Sequence, residues 1–294
     1  MTKALQVSAA VPAVPALPAV PAVPPAATAA RERRQRVQAA ETGLAVLKGL
    51  ADLGGRSSLT ALSAHVAESP AKVHRYLASL MEQGFVLQDA ASQHYYLGTA
   101  AIQIGLAAMR QADPIRAAEP GLIRLRESLS VTSFVAVMGN KGPIIVRFEE
   151  PGLPVTVNVR AGSVMSMLWS ATGRAFLGLL DDAQVLALAE QELATSPPDV
   201  RATLDAADPI GQLRREVREA RCASVKDTYM RGISAVAAPV YDYTGRVCAV
   251  LTALGATGGF DPAVDGPIAT AVRREAQAAS AILGHPKPAP QAER

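Results

Sequence analysis

Three segments between residues 41 and 84 repeat apolar residues at helical spacing, which predicts three amphipathic helices. Gly54–Gly55 ends the first helix, Ser58 caps the second, and Ser69 caps the third with Pro70 in its first turn. The predicted apolar faces are Leu44, Val46, Leu47, Leu50 and Leu53 in the first helix, Leu59, Leu62 and Val66 in the second, and Val73, Leu77, Leu80 and Met81 in the third.

The second and third helices are joined by so few residues that they predict a helix-turn-helix, whose second helix enters the major groove by its N-terminal end. Two short β-rich runs, FVLQ at 85–88 and HYYL at 94–97, then predict a two-stranded wing. A helix that enters DNA end-on needs its polar groups in its first turns. The predicted DNA contacts are therefore Ser69, Lys72, His74 and Arg75, with Gln93 and His94 on the wing.

These candidates have plainer alternatives. Lys72 and Arg75 are also consistent with a solvated helix face, and His74 with a side chain packed under the first helix. A winged helix can also bind a protein partner in place of DNA, although the basic residues argue against that function.

Residues 97–111 predict a connecting helix, and Asp113–Pro114 then breaks the helical pattern. Further strands and helices alternate beyond it, and two of the strands form a hairpin around Asp242–Gly245. Antiparallel strands with helices grouped around them predict an α+β sheet domain. The predicted strands are 131–139, 142–150, 154–160, 233–241 and 246–255, and the predicted helices are 170–194, 200–221 and Pro262 to Leu283.

Composition limits the remaining possibilities. The chain has 29 basic and 26 acidic residues, so nucleic-acid binding needs a local basic cluster. RERRQR at 31–36 is such a cluster, either an arm along DNA phosphates or a solvated helix start, and it follows a Pro/Ala-rich segment that predicts disorder. Cys222 and Cys248 predict reduced buried thiols in a cytoplasmic protein. We expect no metal, no cofactor and no membrane span.

Three segments resemble the IclR-type bacterial transcriptional regulators: VHRYLASLMEQGFV followed by HYYLG, SATGRAFLGLL at 170–180, and GISAVAAPVYDYTGRVCAVLTALG at 232–255. The resemblance implies a ligand-controlled regulator that binds operator DNA as a homodimer or dimer of dimers and is not an enzyme. The implied organisation is a disordered tail with a basic arm (1–36), a winged helix-turn-helix (37–97), a linker helix (98–111), a GAF-like effector-binding domain (112–284) and a second disordered tail (285–294).

The resemblance also implies where the effector binds. In the family it lies between the sheet and the loop that leads into the helix starting here near Ser170, whose first amides, those of Ala171 and Thr172, suit a carboxylate. Carried over residue by residue, the other wall positions are Met165, Val225, Ala235, Thr252 and Leu254, with Asp227 as an alternative to Val225.

Most positions that are polar in relatives binding small acids are apolar here. This difference predicts an effector with one carboxylate and a sizeable apolar body, such as an aromatic acid. Trp169 is either a core residue or part of the pocket wall. The family usually has Ser-Thr before Val-His-Arg, whereas Ala71 and Lys72 stand here, so the operator cannot be transferred from relatives.

An enzyme that acts on a small organic acid through the C-terminal domain is the alternative function. The chain has no G-x-S-x-G sequence, and its four histidines, His65, His74, His94 and His285, all fall outside the predicted sheet domain. A serine nucleophile there would lack its usual base. The neighbouring Glu149 and Glu150 would point to opposite faces of a strand.

Overall fold

A computed structural model describes residues 37–152 and 159–286. The chain divides into two compact units, Met1–Met109 and Arg110–Arg294. The predicted N-terminal tail with its basic arm lies outside the described residues, as do most of the third predicted strand run and the last eight residues. In the described ranges no helix has the length and apolar character needed to cross a membrane.

The N-terminal unit contains the three helices predicted for the winged helix-turn-helix, the predicted connecting helix and a small antiparallel sheet. Its helices are α1 (Gln38–Asp52), α2 (Leu59–His65), α3 (Pro70–Glu82) and α4 (Thr99–Arg110), and its strands are β1 (Arg56–Ser57), β2 (Val86–Gln88) and β3 (Tyr95–Leu97). The strand order is β1-β3-β2, so a short strand before α2 adds a third member to the predicted two-stranded wing. The core residues are Val46, Leu50, Leu62, Val73, Leu77, Val86 and Tyr95.

Two details of the predicted helices are wrong. Leu44 is 57% exposed and does not belong to the core, because the buried face of α1 follows Val46 and Leu50. Ser69 occupies the N-cap position of α3, but its hydroxyl accepts no hydrogen bond from the helix. Ser58 does cap α2, since its Oγ accepts a hydrogen bond from the Ala61 N–H at 3.2 Å.

The C-terminal unit is built on a five-stranded antiparallel sheet in the order β5-β4-β8-β7-β6. This arrangement confirms the predicted α+β class. Its strands are β4 (Thr132–Gly139), β5 (Gly142–Glu149), β6 (Ala223–Lys226), β7 (Ile233–Tyr241) and β8 (Val247–Ala256). Its helices are α5 (Pro114–Leu129), α6 (Ala171–Leu179), α7 (Ala183–Thr195), α8 (Pro198–Arg201), α9 (Pro209–Ala220) and α10 (Pro267–Ile282).

Several boundaries in this unit differ from the prediction. Asp113–Pro114 starts a helix, because the Asp113 carboxylate caps α5 at the amides of Ile115 and Arg116, 2.9 and 3.2 Å away. The predicted helices over 170–194 and 200–221 each divide in two, where Asp182 and Asp208 cap α7 and α9. Strand β6 was not predicted. The last helix begins at Pro267, five residues later than expected.

The two faces of the large sheet pack against different helices. We call the face that carries Val135, Val236 and Leu251 the helix-packed face, and α5 and α10 cover it. We call the face that carries Phe134, Val250 and Leu254 the cavity face, and α6, α7 and α9 cover it. Successive residues of a strand point to opposite faces, so each strand contributes to both cores.

Candidate functional sites

The first turns of α3 present three side chains that the sequence nominates for DNA. His74 and Arg75 are exposed, so His74 is not packed under α1. The Arg75 guanidinium has neither an ion pair nor a hydrogen bond with any other described residue. Lys72 is different, because its Nζ lies 2.6 Å from Oε1 of Glu68 one turn earlier. The ammonium group of Lys72 would have to exchange that carboxylate for a phosphate in order to contact DNA.

The wing turn is fixed by Asp89. Its carboxylate accepts hydrogen bonds from the amides of Ala91 and Ser92 at 3.0 and 2.8 Å. The hydrogen bond from the Ser92 amide is the main reason that the pKa of Asp89 is below its ordinary value. Nδ1 of His94 lies 3.0 Å from the Ser92 carbonyl oxygen, which holds the half-buried ring against the turn. Gln93 is exposed, with φ at +58°.

On the cavity face, all seven residues nominated for the effector line one cavity of about 30 Å³. The strand register explains this convergence, because Val225 pairs with Ala235, and Ala235 pairs with Leu254 across β6, β7 and β8. Thr252 pairs with Phe134 of β4. The lining residues are Met165, Ala171, Thr172, Val225, Ala235, Thr252 and Leu254, together with Phe134, Val159, Ser170, Tyr229, Met230 and Ile233, which the sequence did not nominate.

The polar end of this cavity is the N-terminus of α6. The hydroxyl oxygens of Thr172 and Thr252 lie 2.9 Å apart in a fully buried position. Ser170 caps the helix by accepting a hydrogen bond from the Gly173 amide at 2.9 Å. The amides of Ala171 and Thr172 donate to no described residue. Such unpaired amides at a helix start attract an anionic group.

The loop before α6 is braced by two charged side chains. Oε2 of Glu192 accepts hydrogen bonds from the amides of Met167 and Leu168 at 2.7 and 3.1 Å. Nε of Arg174 donates to the Leu168 carbonyl oxygen at 2.7 Å, and burial lowers the pKa of this guanidinium. Trp169 is buried in the core and is not a wall of the cavity, which settles the alternative left open for it.

A short loop at 227–232 covers another side of the cavity with Tyr229 and Met230. Asp227, the alternative lining residue, does not face the cavity. Its carboxylate accepts hydrogen bonds from the Gly232 amide at 2.7 Å and from Thr257 Oγ1 at 2.8 Å, so it closes the base of the loop. Burial, followed by the nearby charge of Glu192, raises the pKa of Tyr229.

The described residues contain no group of three or more His, Cys, Asp and Glu side chains that could hold a metal ion. One histidine lies against the sheet domain, contrary to the prediction. The His285 ring stacks on Tyr241 with 4.9 Å between ring centroids, because the chain folds back over the end of β7 after α10. Cys222 and Cys248 are free thiols, and burial raises the pKa of each to about 11.

Both domains of the chain match one known protein family. Residues 39–90 match the IclR helix-turn-helix domain, and residues 106–281 match the domain described as bacterial transcriptional regulator IclR C-terminal. The chain belongs to the IclR family. It is therefore a DNA-binding transcriptional regulator with a C-terminal effector domain, as the resemblance implied.

Individual relatives agree with this assignment. The chain is 26% identical to the HTH-type transcriptional repressor AllR of Klebsiella pneumoniae over 228 residues, which cover 76% of this chain and 82% of that protein. The crystal structure of Pseudomonas aeruginosa HmgR is 37% identical with a TM-score of 0.77 and covers 86% of this chain and 100% of that chain. An IclR homologue from Microbacterium hydrocarbonoxydans, solved in complex with 4-hydroxybenzoate, shares the fold at 16% identity and a TM-score of 0.50, covering 82% and 98% of the two chains.

Proposed function

We propose that this IclR-family regulator binds operator DNA through α3 and the wing, and that a small organic acid with an apolar or aromatic body controls it. The observation that carries the effector half of the proposal is the single cavity shared by all seven nominated residues. That cavity combines unpaired amides at one end with a largely apolar wall, which suits a carboxylate attached to an apolar body.

The size of the cavity indicates how a ligand enters. A volume of about 30 Å³ holds little more than one water molecule, so an aromatic acid has to displace part of the wall. The sheet strands are fixed by their ladders, and Glu192 and Arg174 brace the loop before α6. The loop at 227–232 is held mainly at its base by Asp227. We therefore assign the displacement to Tyr229 and Met230.

In this arrangement the carboxylate of the effector accepts hydrogen bonds from the amides of Ala171 and Thr172. The hydroxyl of Thr252 is a third donor, because it already faces the same end of the cavity. Met165, Val225 and Leu254 then contact the apolar body. A small keto or hydroxy acid would leave this wall without contacts, so it should bind more weakly than an aromatic acid.

Calorimetric titration of the full-length protein tests the effector class. The ligands are 4-hydroxybenzoate, the compound bound to the Microbacterium homologue, and benzoate, compared with glyoxylate and pyruvate. We expect the aromatic acids to bind more tightly, and Thr252→Val to weaken them about tenfold by removing one hydrogen-bond donor. Thr203→Val is the matched control, because the Thr203 hydroxyl is exposed and bonds only to the Val200 carbonyl. Tight binding of glyoxylate or pyruvate without any response to aromatic acids would contradict the proposed pocket.

For the DNA half of the proposal, the charged side chains of α3 have distinct roles. Arg75 is available for DNA as it stands, whereas Lys72 is held by Glu68. Ser69, His74 and His94 complete the proposed contact surface. A homodimer or dimer of dimers would place two such surfaces on the two halves of a palindromic operator.

Operator binding measured over a salt series tests this surface, with the operator first isolated by capture of genomic fragments on the purified protein. Arg75→Gln should lower affinity and reduce the slope of log K against log salt by about one for a lost phosphate contact. Lys72→Gln should weaken binding, whereas Glu68→Gln should strengthen it by freeing Lys72. Arg201→Gln, which removes an exposed arginine from the other unit, is the control. Unchanged binding in both Arg75→Gln and Lys72→Gln would exclude α3 as the reading helix.

A further inference from the structure

A second and larger cavity, of about 730 Å³, lies at the other end of the effector domain. It is bounded by the end of α9, the end of β7 and the C-terminal half of α10. It shares no lining residue with the effector cavity described above. Its volume falls within the range of small-molecule sites, whereas the effector cavity has to expand before it can hold a ligand.

The walls of this cavity combine a largely apolar surface with positive charge. Ala238, Pro239, Ala276 and Ala281 contribute apolar surface from β7 and α10. Three arginines, Arg221, Arg273 and Arg274, also line it, against a single lining carboxylate, that of Glu219. A cavity with this composition favours a ligand that carries both a negative charge and an apolar body.

The three guanidinium groups differ in the hydrogen bonds and ion pairs that they already make within the protein. Arg221 makes no side-chain hydrogen bond or ion pair with the described residues. Arg273 donates through Nη1 to the neutral carbonyl of Val264 at 2.5 Å, so its charge is not compensated there. Arg274 contacts Oε1 of Glu275 at 2.9 Å, but Glu275 also pairs with Arg124 at 2.6 Å. One carboxylate shared by two arginines leaves a net positive charge beside the cavity.

His285 adds an unsatisfied polar atom to the same cavity. Its Nδ1 is shielded from solvent and has no hydrogen-bond partner among the described residues. The ring is held in place by stacking on Tyr241, whose backbone N–H donates to Ser280 Oγ at 2.9 Å. Buried nitrogen atoms of this kind usually have a partner. Because Nδ1 has almost no exposed surface, a ligand in the cavity becomes its partner only when the ring turns toward the cavity.

We propose that this cavity is a second ligand site, which binds a small organic anion through Arg221 and His285 while its apolar body rests on β7 and α10. The site is independent of the effector cavity. It would give the regulator two inputs on one domain, one at the start of α6 and one at the end of α10.

Calorimetric titration of full-length Thr252→Val protein with benzoate tests the proposal, because that substitution weakens the first site and leaves the second intact. We expect benzoate to bind, and Arg221→Gln added to this protein to raise the Kd about tenfold through loss of a charge-assisted hydrogen bond. His285→Phe should also raise the Kd, since phenylalanine keeps the stacking on Tyr241 and removes Nδ1. Arg201→Gln removes an exposed arginine outside the cavity and should leave the Kd unchanged.

Inorganic phosphate, titrated at the same ionic strength, separates an organic-anion site from a simple positive patch. Phosphate should bind more weakly than benzoate because it makes no use of the apolar walls. The proposal is overturned if benzoate does not bind to Thr252→Val protein, if Arg221→Gln and Arg201→Gln give the same Kd, or if phosphate binds as tightly as benzoate. If aromatic acids bind at the second site but not at the first, the proposed effector is wrong and the proposal of a second site is supported.

Discussion

The two faces of the five-stranded sheet are covered in different ways. On the helix-packed face, α5 and α10 are both 16 residues long and pack against the strands, and small residues such as Ala118 and Ala276 belong to that core. A Cβ atom at Gly121 of α5 would lie only 3.1 Å from the Cβ of Glu275 on α10. On the cavity face, α6 has nine residues, and its N-terminus contacts the sheet at Thr252, beside the loop that precedes the helix.

The two faces also differ in whether their buried polar groups have hydrogen-bond partners. On the helix-packed face Glu275 is bound by two arginines, and Ser280 Oγ bonds to both the Ala276 carbonyl and the Tyr241 amide. On the cavity face the amides of Ala171 and Thr172 have no described partner. Close packing with satisfied polar groups stabilises the core between α5, α10 and the sheet, and the unpaired Nδ1 of His285 lies outside that core, at the second cavity beside the end of β7. Unfilled volume beside unpaired polar groups is what a ligand site requires.

The largest predicted effect compares one leucine on each face. Leu251 is fully buried on the helix-packed face, and Leu254 borders the cavity. Leu251→Ala should lower the free energy of unfolding by about 3–4 kcal/mol, and Leu254→Ala by about 2 kcal/mol, because Leu254 already lacks neighbours on one side. Denaturant unfolding followed by the fluorescence of Trp169, the single tryptophan, measures both. Equal losses would mean that the cavity face is packed as tightly as the other.

The sequence predicted much of this sheet, because alternating apolar residues and the hairpin at Asp242–Gly245 are local signals. Helix α5 was not predicted, and the reason is physical. Pro114 and Pro120 both suggest interruption, yet Pro114 occupies the first turn, where no amide is needed, and packing of α5 against α10 and the sheet compensates for Pro120 inside the helix. Tertiary contacts of that kind leave no signal in the local sequence.

The cavity shows the same limit. The cavity residues on strands and on α6 could be predicted from the resemblance to the family. The strand register then brings them together. Tyr229 and Met230 could not be predicted, because their position depends on the turn at Asp227, a non-glycine residue with φ at +56°. The volume of the cavity also depends on how side chains from distant elements meet, and no sequence pattern reports it.

Glycine-to-alanine substitutions compare the two faces by adding one methyl group to each. A Cβ atom at Gly173 in α6 would lie 2.0 Å from the Ser166 carbonyl oxygen, and this backbone contact cannot be relieved by a side-chain rotation. Gly173→Ala should therefore destabilise by about 1–3 kcal/mol and displace the loop that borders the cavity. Gly121→Ala should cost less, because its added Cβ would lie 3.1 Å from a side-chain atom of Glu275 and would meet no backbone atom so closely. Thermal unfolding of the two variants measures the difference, and a greater loss in Gly121→Ala would reverse the comparison.

A double-mutant cycle on Thr172 and Thr252 measures the buried hydroxyl pair of the cavity face. Each single change to valine leaves one buried hydroxyl without its partner and should cost about 1–2 kcal/mol. The double variant should be close to the wild type, since both polar groups are then removed together. Denaturant unfolding of the four proteins gives the coupling energy. Strictly additive losses would show that the two hydroxyls do not depend on each other.

The smallest expected effect concerns the thiols, which belong to the helix-packed core. Burial raises the pKa of Cys222 and Cys248 to about 11. At pH 8 only about one thiol in a thousand is then the reactive thiolate, and labelling by iodoacetamide should be slow and accelerate as pH rises toward that pKa. Addition of 4-hydroxybenzoate should leave the labelling rate of Cys248 unchanged, because the loop displaced by the ligand lies on the opposite face and Cys248 does not line the second cavity. Faster labelling in the presence of the ligand would show that the helix-packed face opens as well, and the two faces would then respond as one unit.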